Sequence, residues 1–324
     1  MVIDQRRYGN GTVQRNHAKW EDMPTVFHIA NGIADLPQVE TRLAVVTKTH
    51  GWIGDVGDTR RLQSATEPPT MTEPTTSSSL TGKVAIVTGG AGGIGARICQ
   101  RLAAAGVRVV ITYRADAQKA EKLLATLPGS GHIAAATSVT DSNAIAELVA
   151  QVRRDCGRLD ILVNNAGISK IVPHAEVALL DDATIDAIFA TNWRGAFAMT
   201  RACRDLLAAS GDGLIINISS IVGTTAVGSN IAYCASKAAM DNMTRALARA
   251  LAPAIRVLSI APGWVEGEYA SRADPAYLQQ QIARTPLGRI ATPQDVADAV
   301  FAVCTNLRFT NGTIIPVDGG RPLN

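Results

Sequence analysis

The chain has 324 residues, of which 47% are hydrophobic and 18% charged, a composition typical of a globular protein with one large domain or two smaller ones. The net charge is only +3 at pH 7 and the basic residues are dispersed, which argues against a nucleic-acid-binding surface. No segment has the roughly 18 consecutive apolar residues of a membrane span, and the first residues lack the basic-then-apolar pattern of a secretory signal.

The cysteine pattern indicates reduced thiols. The five cysteines are odd in number, form no C-x-x-C pair and fall in segments whose apolar neighbours suggest burial. Reduced structural thiols are typical of the cytoplasm, where we expect this protein to reside, and we predict no metal site. The residues concerned are Cys99, Cys156, Cys203, Cys234 and Cys304.

The first 77 residues read differently from the rest of the chain. Their apolar periodicity is poor, and we predict no domain in them. A polar lead-in to the first strand begins at Met71, which makes Met71 a candidate for the natural start of translation. On one hypothesis, residues 1–70 are upstream sequence from a misassigned start; on the other, residues 1–77 are a disordered extension, and the sequence leaves both open. We assign the domain to residues 78–324.

After residue 80, short β-branched runs alternate with longer amphipathic segments rich in Ala and Leu. Several short runs are apolar on both faces, as strands covered by helices on either side must be. We therefore predict an α/β fold, a single domain with a Rossmann-type, doubly wound parallel sheet. The predicted strands are residues 83–88, 107–112, 132–136, 159–163, 214–218, 255–260 and 313–317, and the predicted helices include 94–105, 142–156, 183–209, 233–252 and 293–305.

A glycine-rich turn, Thr88-Gly-Gly-Ala-Gly-Gly-Ile-Gly95, leads from the first predicted strand directly into a helix. Glycines at such a turn permit positive φ, let the backbone approach a pyrophosphate and expose the N–H groups of the helix N-terminus. A tight turn with no ligand is the alternative reading. The position between a two-sided apolar strand and an amphipathic helix is the context that a dinucleotide site requires.

Tyr233 and Lys237 are four residues apart in a predicted helix, which places a phenol and an ammonium on one face. A phenol titrates near 10 in water, and a fixed cation beside it lowers its pKa. The pair is therefore a candidate for proton transfer to or from a substrate oxygen. Taken alone, the spacing also fits a packed tyrosine with a lysine that extends to water.

These motifs and several others together resemble the short-chain dehydrogenase/reductase family, from about residue 78 to the end of the chain. Among the family's subtypes, the chain most resembles the 3-oxoacyl-thioester reductases and the sugar or polyol dehydrogenases. The motifs that carry the resemblance are the glycine-rich turn, Asn164-Asn-Ala-Gly167, Thr191-Asn192, Asn217-Ile-Ser-Ser220, Tyr233-x-x-x-Lys237, Pro262-Gly263 and Val317-Asp-Gly-Gly320.

The resemblance implies a catalytic role for four residues. Tyr233 would exchange a proton with the substrate oxygen, and Ser220, thirteen residues earlier, would hydrogen-bond that oxygen. Ser219 would then be structural. Lys237 would lower the phenol's pKa and hold the nicotinamide ribose, while Asn192 would hold a water molecule that links the lysine to solvent. The alternatives are that Asn192 caps or kinks its helix and that Ser220 bonds its own backbone.

The resemblance also implies a set of coenzyme contacts. They come from the glycine-rich turn, from the ends of the second, third and fourth strands, from the Tyr-Lys pair and from the segment after the sixth strand. We expect coenzyme contacts at Gly89, Ala91, Gly92, Gly93, Ile94, Gly95, Tyr113, Arg114, Ser138, Val139, Asn165, Ala166, Gly167, Tyr233, Lys237, Pro262, Gly263 and Val265.

The end of the second strand favours NADP(H) over NAD(H). A carboxylate at this place selects NAD, whereas here Tyr113 stands there with Arg114 next to it, and Arg114 can pair with a 2′-phosphate. Two observations oppose this prediction. Gly92 stands where many NADP-dependent relatives carry a basic residue, and Asp116 lies close by. NAD(H) therefore remains the alternative.

The substrate is predicted only as a small carbonyl compound or alcohol. The pocket is expected in residues 169–177, 222–230 and 264–283, where apolar and small polar residues mix. Gly267 stands where the family often has a Thr against the nicotinamide carboxamide. In the following loop, Glu266, Glu268 and Tyr269 are candidates for substrate contact, or simply solvated loop residues.

Two further expectations come from the fold and from the family. Since the fold alone does not imply chemistry, a catalytically silent NAD(P)-binding regulatory or scaffold protein is the alternative function. The family resemblance also implies a homotetramer or homodimer that pairs two long helices, here residues 183–209 and 233–252. We expect no membrane or nucleic-acid partner.

Overall fold

The computed structural model describes residues 79–267, 270–272 and 274–323. The predicted extension, residues 1–77, and the candidate start at Met71 lie outside these residues. The proposed boundary at residue 78 therefore stays a prediction.

The described residues contain a parallel sheet of seven strands, as the sequence predicts, and their order is β3-β2-β1-β4-β5-β6-β7. The chain builds outward from β1 to β3 and then crosses back to place β4 on the other side of β1. This reversal leaves a crevice at the carboxyl ends of β1 and β4, where ligands bind in open α/β sheets. The strands are β1 (Val84–Val87), β2 (Arg108–Tyr113), β3 (Ile133–Ala136), β4 (Ile161–Asn164), β5 (Gly213–Ile218), β6 (Ile255–Pro262) and β7 (Ile314–Val317).

Helices cover both faces of this sheet. They are α1 (Gly93–Ala103), α2 (Ala117–Thr126), α3 (Ser142–Cys156), α4 (Asp182–Phe189), α5 (Ala196–Ala209), α6 (Val222–Thr225), α7 (Ile231–Leu251), α8 (Pro275–Ala283) and α9 (Pro293–Thr305), with a π-helical turn at Ala190–Gly195 and short 3-10 helices at Val177–Leu179, Ala270–Arg272 and Arg321–Leu323. Along β1, Ala85 and Val87 join a core with α1, α2 and α9, whereas Val84 and Ile86 join a second core with α3 and α5. This alternation explains why the strand is apolar on both faces.

The long helix predicted at residues 183–209 is interrupted. It consists of α4, the π-helical turn Ala190–Gly195 and α5, so the single regular helix was wrong in detail. Gly195 lies in this turn because Val139 packs directly against it, and a Cβ there would come within 2.6 Å of the valine Cγ2. The wider turn carries Asn192, which is fully buried. Such π-helical insertions are frequent at functional sites.

The five cysteines are all free, and four of them are buried. Cys156 is only partly buried, which differs from the prediction. Burial raises the pKa of Cys203 and of Cys304 to about 12, so these thiols stay protonated at neutral pH. Among the described residues, no helix is both long and apolar enough to span a membrane. The same residues contain no group of three or more side chains suited to hold a metal ion.

Candidate active site

The glycine-rich turn is locked to the end of β4 by Thr88 and Asn165. The hydroxyl of Thr88 accepts hydrogen bonds from the backbone N–H groups of Asn165 and Ala166, at 2.9 and 3.0 Å. In return, the Asn165 side chain donates to the carbonyls of Thr88 and Gly89, at 2.9 and 3.1 Å. Gly89 has φ +61°, a conformation that L side chains rarely adopt. The turn is therefore held by a reciprocal set of bonds between β1 and β4.

The turn leaves no space for a side chain at Gly95, in the first turn of α1. A Cβ at Gly95 would clash with the Gly89 carbonyl oxygen and would come within 2.7 Å of the Asn165 amide nitrogen. Helix α1 starts at Gly93, and no side chain caps its N-terminus. Its first N–H groups therefore lack a side-chain acceptor, and helix N-termini of this kind bind phosphate through such groups. The geometry fits the pyrophosphate of a dinucleotide.

A cleft of about 350 Å³ opens beside this turn. It brings together nine of the predicted coenzyme contacts with four residues that sequence reasoning did not select. The predicted residues that line it are Gly89, Gly92, Tyr113, Arg114, Ser138, Val139, Asn165, Ala166 and Gly167, and the additional ones are Thr137, Thr140, Ile168 and Thr191.

The other predicted coenzyme residues lie outside the lining of this cleft. Ala91 is buried in the core beneath the turn, and Ile94 packs against the same core. Pro262, Gly263 and Val265 follow β6, where Gly263 donates its N–H to the Val317 carbonyl. The structure thus places a cleft of about 350 Å³ next to the turn and a second group of predicted residues further along the sheet edge.

The end of β2 presents a cation to the cleft and turns its nearest carboxylate elsewhere. Arg114 is exposed and lines the cleft. Asp116 caps helix α2, since its Oδ1 accepts from the backbone N–H of Lys119 at 2.9 Å. The Asp116 oxygen is therefore engaged within its own helix. On the other side of the cleft, the hydroxyls of Ser138 and Thr140 are 2.8 Å apart and bond each other.

Tyr233 and Lys237 both lie on α7, as their spacing predicts. The lysine Nζ is 5.7 Å from the centroid of the Tyr233 ring. Lys237 is 4% exposed, and its ammonium donates to the Ile218 carbonyl at the end of β5, at 2.7 Å. The alternative of a lysine that extends to water is therefore wrong, because this side chain is enclosed.

Burial lowers the pKa of Lys237 to about 8, and the nearby Asp241 carboxylate opposes that shift. Asp241 lies one turn further along α7 and is 3% exposed. Neither of its oxygens has a hydrogen bond of good geometry. Burial raises the pKa of Asp241, while the Ser219 hydroxyl, Arg245, Lys237 and Ser259 lower it. The lysine's charge thus depends on a buried carboxylate that no sequence motif indicated.

Asn192 joins the loop after β4 to helix α7. Its Oδ1 accepts from the N–H of Ile168 at 2.8 Å, and its Nδ2 donates to the Ile168 carbonyl and to the Ser236 hydroxyl, at 3.1 and 3.0 Å. Gly167 lies against this amide and against the lysine, because a Cβ there would be 3.3 Å from Asn192 Oδ1 and 3.8 Å from Lys237 Nζ. Gly167 also lines the cleft. The cleft and the Tyr-Lys helix therefore meet at Gly167.

The two adjacent serines after β5 have different partners. The Ser219 hydroxyl donates to the Lys237 carbonyl at 3.4 Å, which supports the structural role predicted for it. The Ser220 hydroxyl donates to the Pro262 carbonyl at 3.3 Å and accepts from the N–H of Val222. Ser220 thus links the end of β5 to the end of β6.

The predicted substrate segments carry exposed apolar side chains. Ile171, Val177 and Val227 are 70%, 66% and 69% exposed, so they offer apolar surface to a ligand or to another chain. In the segment after β6, the rings of Trp264 and Tyr277 are in edge-to-face contact, with centroids 5.5 Å apart. Part of the predicted loop is helical, since it contains α8.

Two of the three predicted substrate-contact candidates cannot be placed. Glu268 and Tyr269 lie outside the described residues. Glu266 is described, and its N–H donates to the Ala291 carbonyl at 2.8 Å. Gly267 has φ +139°, and nothing lies within 4 Å of a Cβ built there. A threonine at position 267 would therefore be strained by this backbone and not by crowding.

Sequence reasoning missed Asn230, which holds the N-terminus of α7. Its Oδ1 caps α7 by accepting from the N–H of Tyr233 at 2.7 Å, and its Nδ2 donates to the Lys170 carbonyl at 2.6 Å. The backbones of the same two loops also meet where Val172 donates to the Ser229 carbonyl. An Asn three residues before the tyrosine is an N-cap signal that the sequence offered.

The comparisons with known proteins cover the part of the chain that contains this site. Residues 89–321 match the family described as Enoyl-(Acyl carrier protein) reductase. The chain is 38% identical, over 74% of its length and 96% of the relative, to a Streptomyces violaceoruber protein named for a ketoacyl reductase of the granaticin polyketide synthase. It is 35% identical, with the same two shares, to cis-4-hydroxycyclohexanecarboxylate dehydrogenase of Sinomonas cyclohexanicum. A solved structure of a short chain dehydrogenase from Bacillus anthracis superposes with a TM-score of 0.67 at 30% identity, covering 75% of this chain and 98% of that one.

Proposed function

The chain belongs to the short-chain dehydrogenase/reductase family and is an enzyme that acts on alcohol or carbonyl groups, and we propose that it reduces a ketone with NADPH or catalyses the reverse oxidation, with Tyr233 as the acid/base. One observation carries the proposal: Gly167 lies at the same time in the wall of the cleft and against Lys237 and Asn192. The proton-transfer helix and the dinucleotide cleft are therefore adjacent.

Tyr233 is the group that exchanges a proton with the substrate oxygen. When bound, a nicotinamide coenzyme supplies or accepts the hydride, and the substrate oxygen must gain or lose a proton at the same time. The Tyr233 hydroxyl donates this proton in reduction and accepts it in oxidation. Lys237, whose ammonium is enclosed 5.7 Å from the tyrosine ring, stabilises the phenolate that donation leaves behind.

Ser220 and Asn192 orient the groups around that proton. We propose that the Ser220 hydroxyl hydrogen-bonds the substrate oxygen, for which it must exchange its 3.3 Å bond to the Pro262 carbonyl. Asn192 has both ends of its amide engaged, so in this structure it fixes the loop after β4 relative to α7. Holding the water molecule predicted from the family resemblance is a second role that we propose for it.

The cleft favours NADP(H), with NAD(H) as the alternative. Arg114 lines it and can pair with a 2′-phosphate, whereas Asp116 is not among the residues that line the cleft and caps α2 through Oδ1. The uncapped N-terminus of α1 supplies N–H groups for the pyrophosphate. These residues fit a phosphorylated dinucleotide.

The exposed side chains on the substrate side favour an apolar substrate. Ile171, Val177 and Val227 would lie against a carbon chain or ring, whereas a polyol would gain little from them. The two relatives described above are named for a ketoacyl reductase and for a dehydrogenase of a hydroxylated cyclohexane ring. We therefore propose an apolar ketone, presented as a β-ketoacyl group or on a ring, as the substrate class.

The test is a Tyr233→Phe variant assayed with both coenzymes on a panel of β-ketoacyl thioesters, cyclic ketones and polyols. We expect turnover to fall by about 10²- to 10⁴-fold while coenzyme affinity, measured by titration of protein fluorescence, stays within a factor of three. Retained turnover would refute the role of Tyr233. A wild-type protein that binds coenzyme but turns over nothing on the panel would instead support the silent coenzyme-binding protein.

Oligomerisation and location belong to the same proposal. We propose a homodimer or homotetramer that uses α5 and α7, supported by the stacked rings of Trp193 and Phe197, of which Phe197 is 36% exposed at the start of α5. A monomer in light scattering would overturn this assembly. We propose a cytoplasmic location because the five cysteines are all unpaired.

A further inference from the structure

Gly92 is the one glycine of the turn that the backbone does not require. Gly89 and Gly93 have positive φ, and added Cβ atoms at Gly90 and Gly95 would lie within 3.0 Å of backbone atoms. Gly92 has φ −123° and ψ 150°, an extended conformation that any residue adopts. Neither the backbone conformation nor crowding by the turn therefore excludes a side chain at position 92.

The side chain nearest to position 92 is that of Lys119 in helix α2. The one atom within 4 Å of a Cβ built on Gly92 is Nζ of Lys119, at 4.0 Å. Lys119 lies in the first turn of α2 and is exposed. Within the described part of the chain, its ammonium takes part in no ion pair and donates no hydrogen bond, so it is available to a ligand in the cleft.

We propose that Lys119, together with Arg114, binds the 2′-phosphate of NADP(H), and that its ammonium supplies beside Gly92 the positive charge that a basic residue at position 92 would supply. The inference rests on the proposed function and deepens it by naming the residue that recognises the coenzyme. Gly92 and Arg114 both line the cleft, so the two cations lie on the side of the cleft formed by the turn and the end of β2. Lys119 of α2 thus supplies the positive charge that the glycine-rich turn itself lacks.

The charges fit a phosphate in this position. Arginine offers a planar fork to the phosphate oxygens, and lysine acts as a compact point charge on a flexible stem. Asp116 is the nearby opposing charge, and it caps α2 through the N–H of Lys119. Because Lys119 is exposed and screened by salt, we expect its removal to weaken NADP⁺ binding by about tenfold at low ionic strength.

The experiment is calorimetric binding of NADP⁺ and of NAD⁺ to the full chain, since the two ligands differ only in the 2′-phosphate. Lys119→Ala should weaken NADP⁺ binding about tenfold and leave NAD⁺ affinity within a factor of two. Lys122→Ala is the matched control, because Lys122 is exposed on the same helix one turn further from the cleft. It should change neither affinity.

A compensating substitution tests the relation between the two positions. In the Lys119→Ala background, Gly92→Lys should restore at least half of the lost factor for NADP⁺, because the extended backbone accepts a side chain there. In the wild-type background, the same substitution should gain less, because two ammonium groups then compete for one place.

The outcomes separate this inference from the proposed function. Equal affinities of Lys119→Ala and Lys122→Ala for NADP⁺ would overturn the role of Lys119 while turnover left the proposed function standing. A parallel loss of NAD⁺ affinity in Lys119→Ala would also overturn it, because the effect would then not concern the 2′-phosphate. If the wild type binds neither coenzyme, both the inference and the proposed function fail.

Discussion

The two sides of the cleft are built by different means. On the coenzyme side, the turn after β1 is determined by its own backbone, with glycines where φ is positive or where atoms crowd, and with Thr88 and Asn165 bonded to main-chain groups. On the substrate side, the loops are tied together at Asn230, while apolar side chains such as Ile171 and Val177 stay exposed. The first side can tolerate little change, and the second can be remodelled for a different substrate.

The largest effect on coenzyme affinity and stability is expected from a methyl group added within the turn. Gly95→Ala places a Cβ against the Gly89 carbonyl and 2.9 Å from the Gly90 Cα, and these backbone atoms cannot move aside. We expect NADP⁺ affinity to fall by at least about 100-fold and the free energy of unfolding to fall by roughly 1–3 kcal/mol. Calorimetry and urea unfolding measure the two effects. Gly92→Ala adds the same methyl group where the nearest atom is the flexible Lys119 Nζ at 4.0 Å, an ordinary contact, and should change the affinity by no more than threefold. Similar losses in both variants would contradict the crowding argument.

On the substrate side, Asn230 holds the loops together through its hydrogen bonds to Tyr233 and Lys170. Asn230→Ala removes the cap of α7 and the bond to the Lys170 carbonyl, so we expect the free energy of unfolding to fall by about 1–3 kcal/mol and kcat/KM to fall with it. Asn230→Asp keeps the cap acceptor and should lose less. The control is Asn242→Ala at an exposed position of the same helix, for which a change above about 0.5 kcal/mol would be unexpected. Unfolding in urea decides whether the cap contributes.

Lys237 is buried near Asp241 between the two sides of the cleft, and the pH dependence of activity can report its charge. The pKa of Lys237 is lowered to about 8, so its ammonium is present below that pH and lost above it. We therefore expect kcat/KM for NADPH, which reports the coenzyme-free enzyme, to decline as the pH rises through about 8. Asp241→Asn removes the charge that opposes this shift, so the decline should move to lower pH. An unchanged or higher midpoint would show that Asp241 does not act on the lysine.

The smallest effect is expected at the exposed apolar surface. Val177→Ser should raise KM for an apolar ketone about two- to fivefold with no change in the free energy of unfolding, since the side chain is 66% exposed in the free protein. Phe309→Ser is the control, because Phe309 is fully exposed in the segment that precedes β7, away from the carboxyl ends of the strands. If Val177→Ser leaves the KM for a polyol unchanged, the assignment of Val177 to an apolar ligand is strengthened. If the wild type, Val177→Ser and Phe309→Ser have the same KM for the apolar ketone, the assignment is refuted.

Much of the fold could be read from the sequence because its signals are local. All seven predicted strands are present, and their ends lie within two residues of the predicted ends. Short runs that are apolar on both faces are typical of strands covered by helices on either side. The π-helical turn at Ala190–Gly195 was missed, and the contact that requires a glycine in it, between Val139 and Gly195, joins residues far apart in the chain. Asn230 was missed although its N-cap signal was present.

The sequence by itself determined the sheet, the glycine-rich turn and the spacing of Tyr233 and Lys237, because neighbouring residues alone set strand period, backbone conformation and helix face. Only the tertiary structure decided how those parts meet. It buries Lys237 against the Ile218 carbonyl, places Gly167 between the cleft and Lys237 of α7, and brings Lys119 of α2 close to Gly92. Contacts of this kind depend on how separate elements pack, and no local pattern records that packing.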